Sequence, residues 1–190
     1  MTTLNDTTII NTTRDWLDRA VIGLNLCPFA KAVQVKNQIR YVVSHATQTE
    51  SLLEDLLQEL RLLQDTAPEQ LDTTLLIVPA MFADFYDFND FFDVADAVTL
   101  EPEFDEQFQV ASFHPQFQFE DTAPDDIENY TNRSPYPILH LLRENSISRA
   151  VEAYPDAEMI YGKNIETLRQ LGLTGWRSLF GPERQLPTTD

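Results

Sequence analysis

Three residues in this chain, on separate elements, carry side chains that can act as nucleophile, base or soft metal ligand: Cys27, His114 and His140. Two arginines accompany them, Arg133 and Arg143, and both histidines fall in the stretch from Ser112 to Glu144, SFHPQFQFEDTAPDDIENYTNRSPYPILHLLRE. Two chemistries suit such a set. In the first, Cys27 is a nucleophile, a histidine is its base, and Arg133 and Arg143, with Tyr136 and Asn132 beside them, hold the carboxylate or phosphate of a small substrate. In the second, Cys27, His114 and His140 bind zinc or iron and leave a fourth position open. Neither has a diagnostic spacing such as CxxC or HExxH. A third reading is not enzymatic: an acidic adaptor or ligand sensor that uses the histidine and arginine groups for recognition alone.

The elements that must position these groups follow from periodicity. Trp16, Leu17, Ala20, Val21 and Leu24 recur at helical intervals, so a helix is expected from about Thr13 to Gly23. Pro28 ends it, which puts Cys27 in a turn just beyond. Ile39 to Ser44 is β-branched and aromatic, as in a strand, and Thr49 to Leu63 carries leucines on one helical face. Thr74 to Val78 is a short continuous apolar run, as in a strand covered on both faces. From Ala83 to Leu100, Phe85, Phe88, Phe92 and Ala95 line one side of a helix. Asp84, Asp87, Asp90, Asp93 and Asp96 recur every third residue, and three is not 3.6, so they sweep around a solvated face instead of converging on a cation. Asp84 suits the helix N-cap. A third strand, Phe108 to Phe113, ends at His114.

Further along, Thr122 to Asp125 has capping-box spacing and opens a short helical turn through Glu128. Ser134 and Pro135 read as the start of a buried helix from Pro135 to Ala153, on which Tyr136, His140 and Arg143 form one polar stripe. A structural alternative has Arg143 bridging to a carboxylate and His140 bonding a backbone carbonyl to hold the fold. Asp156 caps a last helix closed by Gly172 in a left-handed conformation. The expected fold is a single α/β domain over residues 13–180. It has a small, about three-stranded, mainly parallel sheet, helices packed around it and a helical C-terminal part. Residues 1–12 and 181–190 are expected to be mobile. In a parallel sheet ligands gather beyond the carboxyl ends of the strands, where His45, Pro79 and His114 would lie.

Composition narrows the partners. The 190 residues carry a formal net charge of −18, with no Lys or Arg between Arg61 and Arg133, which argues against nucleic acid and anionic membranes as partners. A basic protein partner is compatible with it. No run approaches the length of a membrane span, the N-terminus lacks the pattern of a secretory signal, and one cysteine fits a reducing cytoplasm. With 5 glycines there is no phosphate-cradling loop.

Several contiguous motifs resemble a known family. They are Arg19-Ala20-Val21-Ile22-Gly23-Leu24-Asn25-Leu26-Cys27-Pro28-Phe29-Ala30-Lys31, Asn89-Asp90-Phe91, Ser112-Phe113-His114-Pro115, the run from Asp126 to Pro137, and Leu139-His140-Leu141-Leu142-Arg143-Glu144. Together they resemble a bacterial family catalogued only as domain of unknown function 1415, from about Arg14 to Trp176. The resemblance implies a small cytoplasmic protein without an assigned activity and carries no catalytic assignment. His45 lies outside these motifs and is set aside as a strand-end residue.

Overall fold

The computed structural model describes residues 5–104, 106–154 and 156–181. Helix α1, Asp6–Trp16, starts where Asn5 accepts a hydrogen bond from the Thr8 amide at 2.8 Å. The helix therefore takes in part of the 1–12 segment; residues 1–4 and 182–190 lie outside the described residues. It continues as a π-helical turn, Leu17–Ile22, that ends at Gly23. A Cβ on Gly23 would stand 2.2 Å from the Arg19 carbonyl oxygen, so this close return of the backbone requires glycine. Short helix α2, Ala30–Val35, follows Cys27.

Strand β1, Ile39–Val43, helix α3, Thr49–Asp65, strand β2, Thr73–Ile77, helix α4, Phe85–Thr99, and strand β3, Phe108–Phe113, come next. These match the periodicities to within a few residues. Asp84 caps α4, accepting from the Tyr86 amide at 2.7 Å, and the carboxylates at 87, 90, 93 and 96 are all exposed.

The expected buried helix from Pro135 to Ala153 is not formed. Its first part is strand β4, Ile138–Arg143, and only Glu144–Ala153 is helical, as α5. Strand β4 lies antiparallel between β2 and β3, giving a four-stranded sheet of order β1-β2-β4-β3 with one parallel and two antiparallel pairings. The expected sheet of about three strands, mainly parallel, is thus corrected to four strands, mostly antiparallel. Strands β1, β2 and β3 do run the same way; what was missed is the strand inserted between them. A central strand covered on both faces has the same unbroken apolar run as a buried helix, so Ile138-Leu139-His140-Leu141-Leu142 fits either. Ser134 caps no helix; its hydroxyl donates to the Tyr136 carbonyl at 2.5 Å.

Each face of the sheet carries its own core. Leu76, Val78, Val110, Leu139 and Leu141 pack against α3 and α4. Leu75, Ile77 and Ile138 pack against α1, the π turn and α6, Ile160–Ser178. Gly172, expected to close the last helix in a left-handed conformation, has a positive φ of 66° but an extended ψ of 172° and kinks α6, whose helical residues resume to Ser178. Helix α6 starts after Met159, and Asp156 makes no capping hydrogen bond. Among the described residues no helix is long and apolar enough to cross a membrane.

Candidate functional site

Alternation along β4 decides where the candidate groups go. Side chains at 138, 140 and 142 leave one face of the sheet and those at 139, 141 and 143 the other. His140 and Arg143, expected on one helical stripe, therefore point to opposite faces.

On the α3 face Arg143 is taken up by backbone. Its Nη2 donates to the carbonyls of Leu63, Thr66 (2.6 Å) and Leu71 (3.0 Å), and its Nε to Leu71 again at 3.3 Å. The guanidinium thus satisfies the open carbonyl end of α3 and the connector behind it, a structural task close to the alternative foreseen, with carbonyls in place of a carboxylate. Burial lowers its pKa, an effect opposed by nearby Asp72 and Glu69.

Arg133 is engaged in the same manner. Nε donates to the Phe117 carbonyl at 3.3 Å, Nη2 to that of Pro124 at 2.5 Å, and the guanidinium lies 4.3 Å from the centre of the Tyr130 ring. Its own carbonyl accepts from Trp16 Nε1 at 2.8 Å, and neighbouring Asn132 donates to the Ser112 carbonyl at 3.1 Å. Tyr136 is hydrogen-bonded to the Thr12 side chain, and burial pushes its phenol up.

His114, only 1% exposed, is a core histidine. Its Nε2 lies 2.9 Å from the Phe82 carbonyl, its Nδ1 accepts from the Gln116 amide at 3.0 Å, and its ring stacks on Phe88 at 5.2 Å. Both nitrogens are used, and burial lowers the pKa of the imidazole, so it is a neutral Nε2–H tautomer. It packs with Phe85 and Phe88 of α4, on the sheet face away from His140. No three His, Cys, Asp or Glu side chains among the described residues are grouped to hold a metal, so the zinc or iron set Cys27, His114 and His140 is not assembled. His45 is exposed and meets Asp6 at 3.2 Å.

The remaining two candidates do share a space. On the face opposite Arg143's carbonyls, the lower part of the sheet is not closed by α1 and α6. It looks onto a cavity of about 710 Å³ roofed by α2 and α5. Cys27 and Phe29 line one wall, Val33 of α2 and Ile147 and Ala150 of α5 the roof, and Thr73, Leu75, Ala111, Phe113, His140 and Leu142 the floor. Leu139 and Leu141 are completely buried, whereas His140 and Leu142, on the same central strand, are only half-buried. Lys36, Glu69, Asp72 and Arg149 at the mouth include both signs of charge. Arg143 also reaches the lining, with its Nε and Nη2 committed as above.

The chemistry on the floor is one imidazole. His140 Nε2 lies 2.8 Å from Thr73 Oγ1, and Thr73 Oγ1 donates to the Leu141 carbonyl at 2.6 Å. Loss of hydration lowers the imidazole pKa to about 4, although the residue is only half-buried and lines a mostly apolar cavity. On the wall, burial pushes the Cys27 thiol up, partly offset by hydrogen bonds from the backbone at Phe29 and Ala30. A raised thiol pKa means little thiolate at neutral pH and a poor nucleophile.

Sequence reasoning missed Thr73, which fell one residue outside the expected strand. It also missed the cavity-facing members of β3 and β4: Ala111, Phe113 and Leu142. Period-two alternation centred on His140 was the available signal, hidden because apolar residues occupy both faces. A smaller hollow of about 350 Å³, between Leu24–Pro28 and α6, is lined by Lys163, Glu166 and Gln170 and contains none of the candidate groups.

The molecule is thus a compact mixed α/β protein with a histidine-floored apolar cavity on one face of a four-stranded sheet. Residues 8–178 match the family model described as a protein of unknown function, DUF1415, and the chain belongs to that family. No curated protein and no solved structure matches it.

Proposed function

We propose that this protein binds one small, largely apolar organic molecule in the cavity between the sheet and helices α2 and α5. The observation that carries the reading is the unequal covering of β4: Leu139 and Leu141 are sealed on one face, while His140 and Leu142 face a half-open, mostly apolar cavity of about 710 Å³ on the other. That volume lies within the range of small-molecule sites, and an apolar lining with a few polar groups is their usual make-up. The roof also supports it. Neither α2 nor α5 has a buried residue, so few packing contacts hold them down and a path for entry exists at low cost.

An anionic ligand, expected while Arg133 and Arg143 were available to hold it, fits the geometry less well. Nε and Nη2 of both guanidinium groups donate to backbone carbonyls, His140 is neutral at pH 7, and the mouth carries Glu69 and Asp72 as well as Lys36 and Arg149. The ligand class is accordingly revised to a neutral molecule. The free Cys27 thiol accords with a cytoplasmic setting.

The test is an NMR titration of ¹⁵N-labelled protein with p-xylene, repeated on an Ala111→Phe variant that fills the cavity from its floor. Saturable shifts at Cys27, Ala111, Leu142 and Ile147 that disappear in the variant support the reading. Equal binding by the folded variant, or shifts confined to other parts of the molecule, would refute it.

A further inference from the structure

We propose that His140 selects a molecule bearing a hydrogen-bond donor, an O–H or N–H group, through a ring nitrogen that Thr73 keeps unprotonated; the inference rests on the cavity reading above. A threonine hydroxyl has one proton. That of Thr73 is committed to the Leu141 carbonyl at 2.6 Å, so the hydroxyl oxygen can only accept from the imidazole 2.8 Å away. His140 must therefore carry its proton on Nε2, and its lone pair is on Nδ1. The ring is neutral at pH 7, since burial holds its pKa at about 4.

Nδ1 makes no hydrogen bond among the described residues. It is also absent from the fully buried side-chain atoms without a partner, which are Thr74 Oγ1, Thr131 Oγ1 and Trp176 Nε1. An unpaired nitrogen that is not sealed in protein keeps access to the cavity that His140 lines. There it presents a fixed acceptor in mostly apolar surroundings, where a missing partner costs more than in water. A phenol, alcohol or N–H heterocycle supplies the donor. An aldehyde, ketone or carboxylate of the same shape sets a lone pair against a lone pair. The strand pairing that places Thr73 beside His140 thus makes a chemical filter out of what the core could have filled with another leucine.

Three probes of similar size test this: p-cresol carries a donor, p-xylene no polar group, and benzaldehyde an acceptor only. In wild-type protein p-cresol binds in preference to benzaldehyde. The affinity ratio of p-cresol to p-xylene falls roughly five- to tenfold in His140→Leu, the worth of one hydrogen bond. Thr73→Val frees the tautomer, and the ratio of p-cresol to benzaldehyde falls towards unity. If p-cresol and p-xylene both bind but their ratio is the same in wild type and His140→Leu, the filter is refuted and the cavity reading stands. If neither binds wild-type protein, both fall. Imidazole ¹⁵N shifts of wild-type His140 give an answer independent of how the variants fold. A protonated Nε2 with a bare Nδ1 is expected, and the opposite tautomer overturns the proposal.

Discussion

Lowering the pH should unfold this protein partly through His140, and the size of the effect can be worked from its surroundings. In the folded chain the imidazole sits on the cavity floor with a pKa of about 4, against an ordinary value of 6.5. The unfolded chain therefore binds the proton that the folded chain refuses throughout the interval between those values. Stability from this group is complete above pH 6.5, declines as pH falls toward 4 and is constant below that. At 1.36 kcal/mol per pKa unit the full loss is about 3 kcal/mol, and by pH 5 it reaches about 2 kcal/mol; water entering the cavity would reduce both. Urea unfolding at pH 7, 6 and 5, on wild type and His140→Leu, isolates the contribution. His114, whose pKa is also lowered, and the carboxylates are present in both proteins and cancel in the difference. The stability of the variant relative to wild type should rise by about 2 kcal/mol between pH 7 and pH 5. Parallel pH profiles for the two proteins would show that the ring is hydrated, and the description of an apolar floor would be wrong.

Other perturbations have defined outcomes. Arg143→Leu leaves the carbonyls of Leu63, Thr66 and Leu71 without their donor and should cost about 3 kcal/mol in chemical denaturation. An unchanged midpoint together with lost ligand binding would instead restore Arg143 as an anion holder. Asn129 is completely buried; it accepts from the Phe119 amide and the Thr122 hydroxyl and donates to the Ala123 carbonyl. Asn129→Ala should lower stability by about 2 to 3 kcal/mol, read as a drop in Tm. Cys27, with its thiol pKa raised by burial, should react with iodoacetamide at pH 7.5 more slowly than free cysteine, and more slowly again when p-xylene fills the cavity. Prompt alkylation unaffected by the probe would move Cys27 off the cavity wall.

Most elements were legible because their two sides differ. The leucines of α3, the phenylalanines of α4 and the cap at Asp84 each announce a buried face, an exposed face and an end. Strand β4 was not legible for the opposite reason: Ile138, Leu139, Leu141 and Leu142 must serve two cores at once, so nothing in the run distinguishes two faces. That one ambiguity displaced the site. Placing His140 and Arg143 on a helix made them neighbours, whereas in a strand three residues apart they separate across the sheet. Arginine roles were hidden as well, since a guanidinium that caps a carbonyl end of α3 some 70 to 80 residues earlier leaves no local signature. Cys27 and His140, both named from the sequence, line one cavity, and it took the pairing of β2 with β4 to add Thr73 and show what lies between them.

A crystal structure of the protein saturated with p-cresol tests the central claim most directly. Density for one ring between the sheet and helices α2 and α5, its hydroxyl within about 3 Å of His140 Nδ1, is the result expected. A cavity left empty or filled only by water at saturating p-cresol, or one closed by the packing of α5 onto β4, would contradict it.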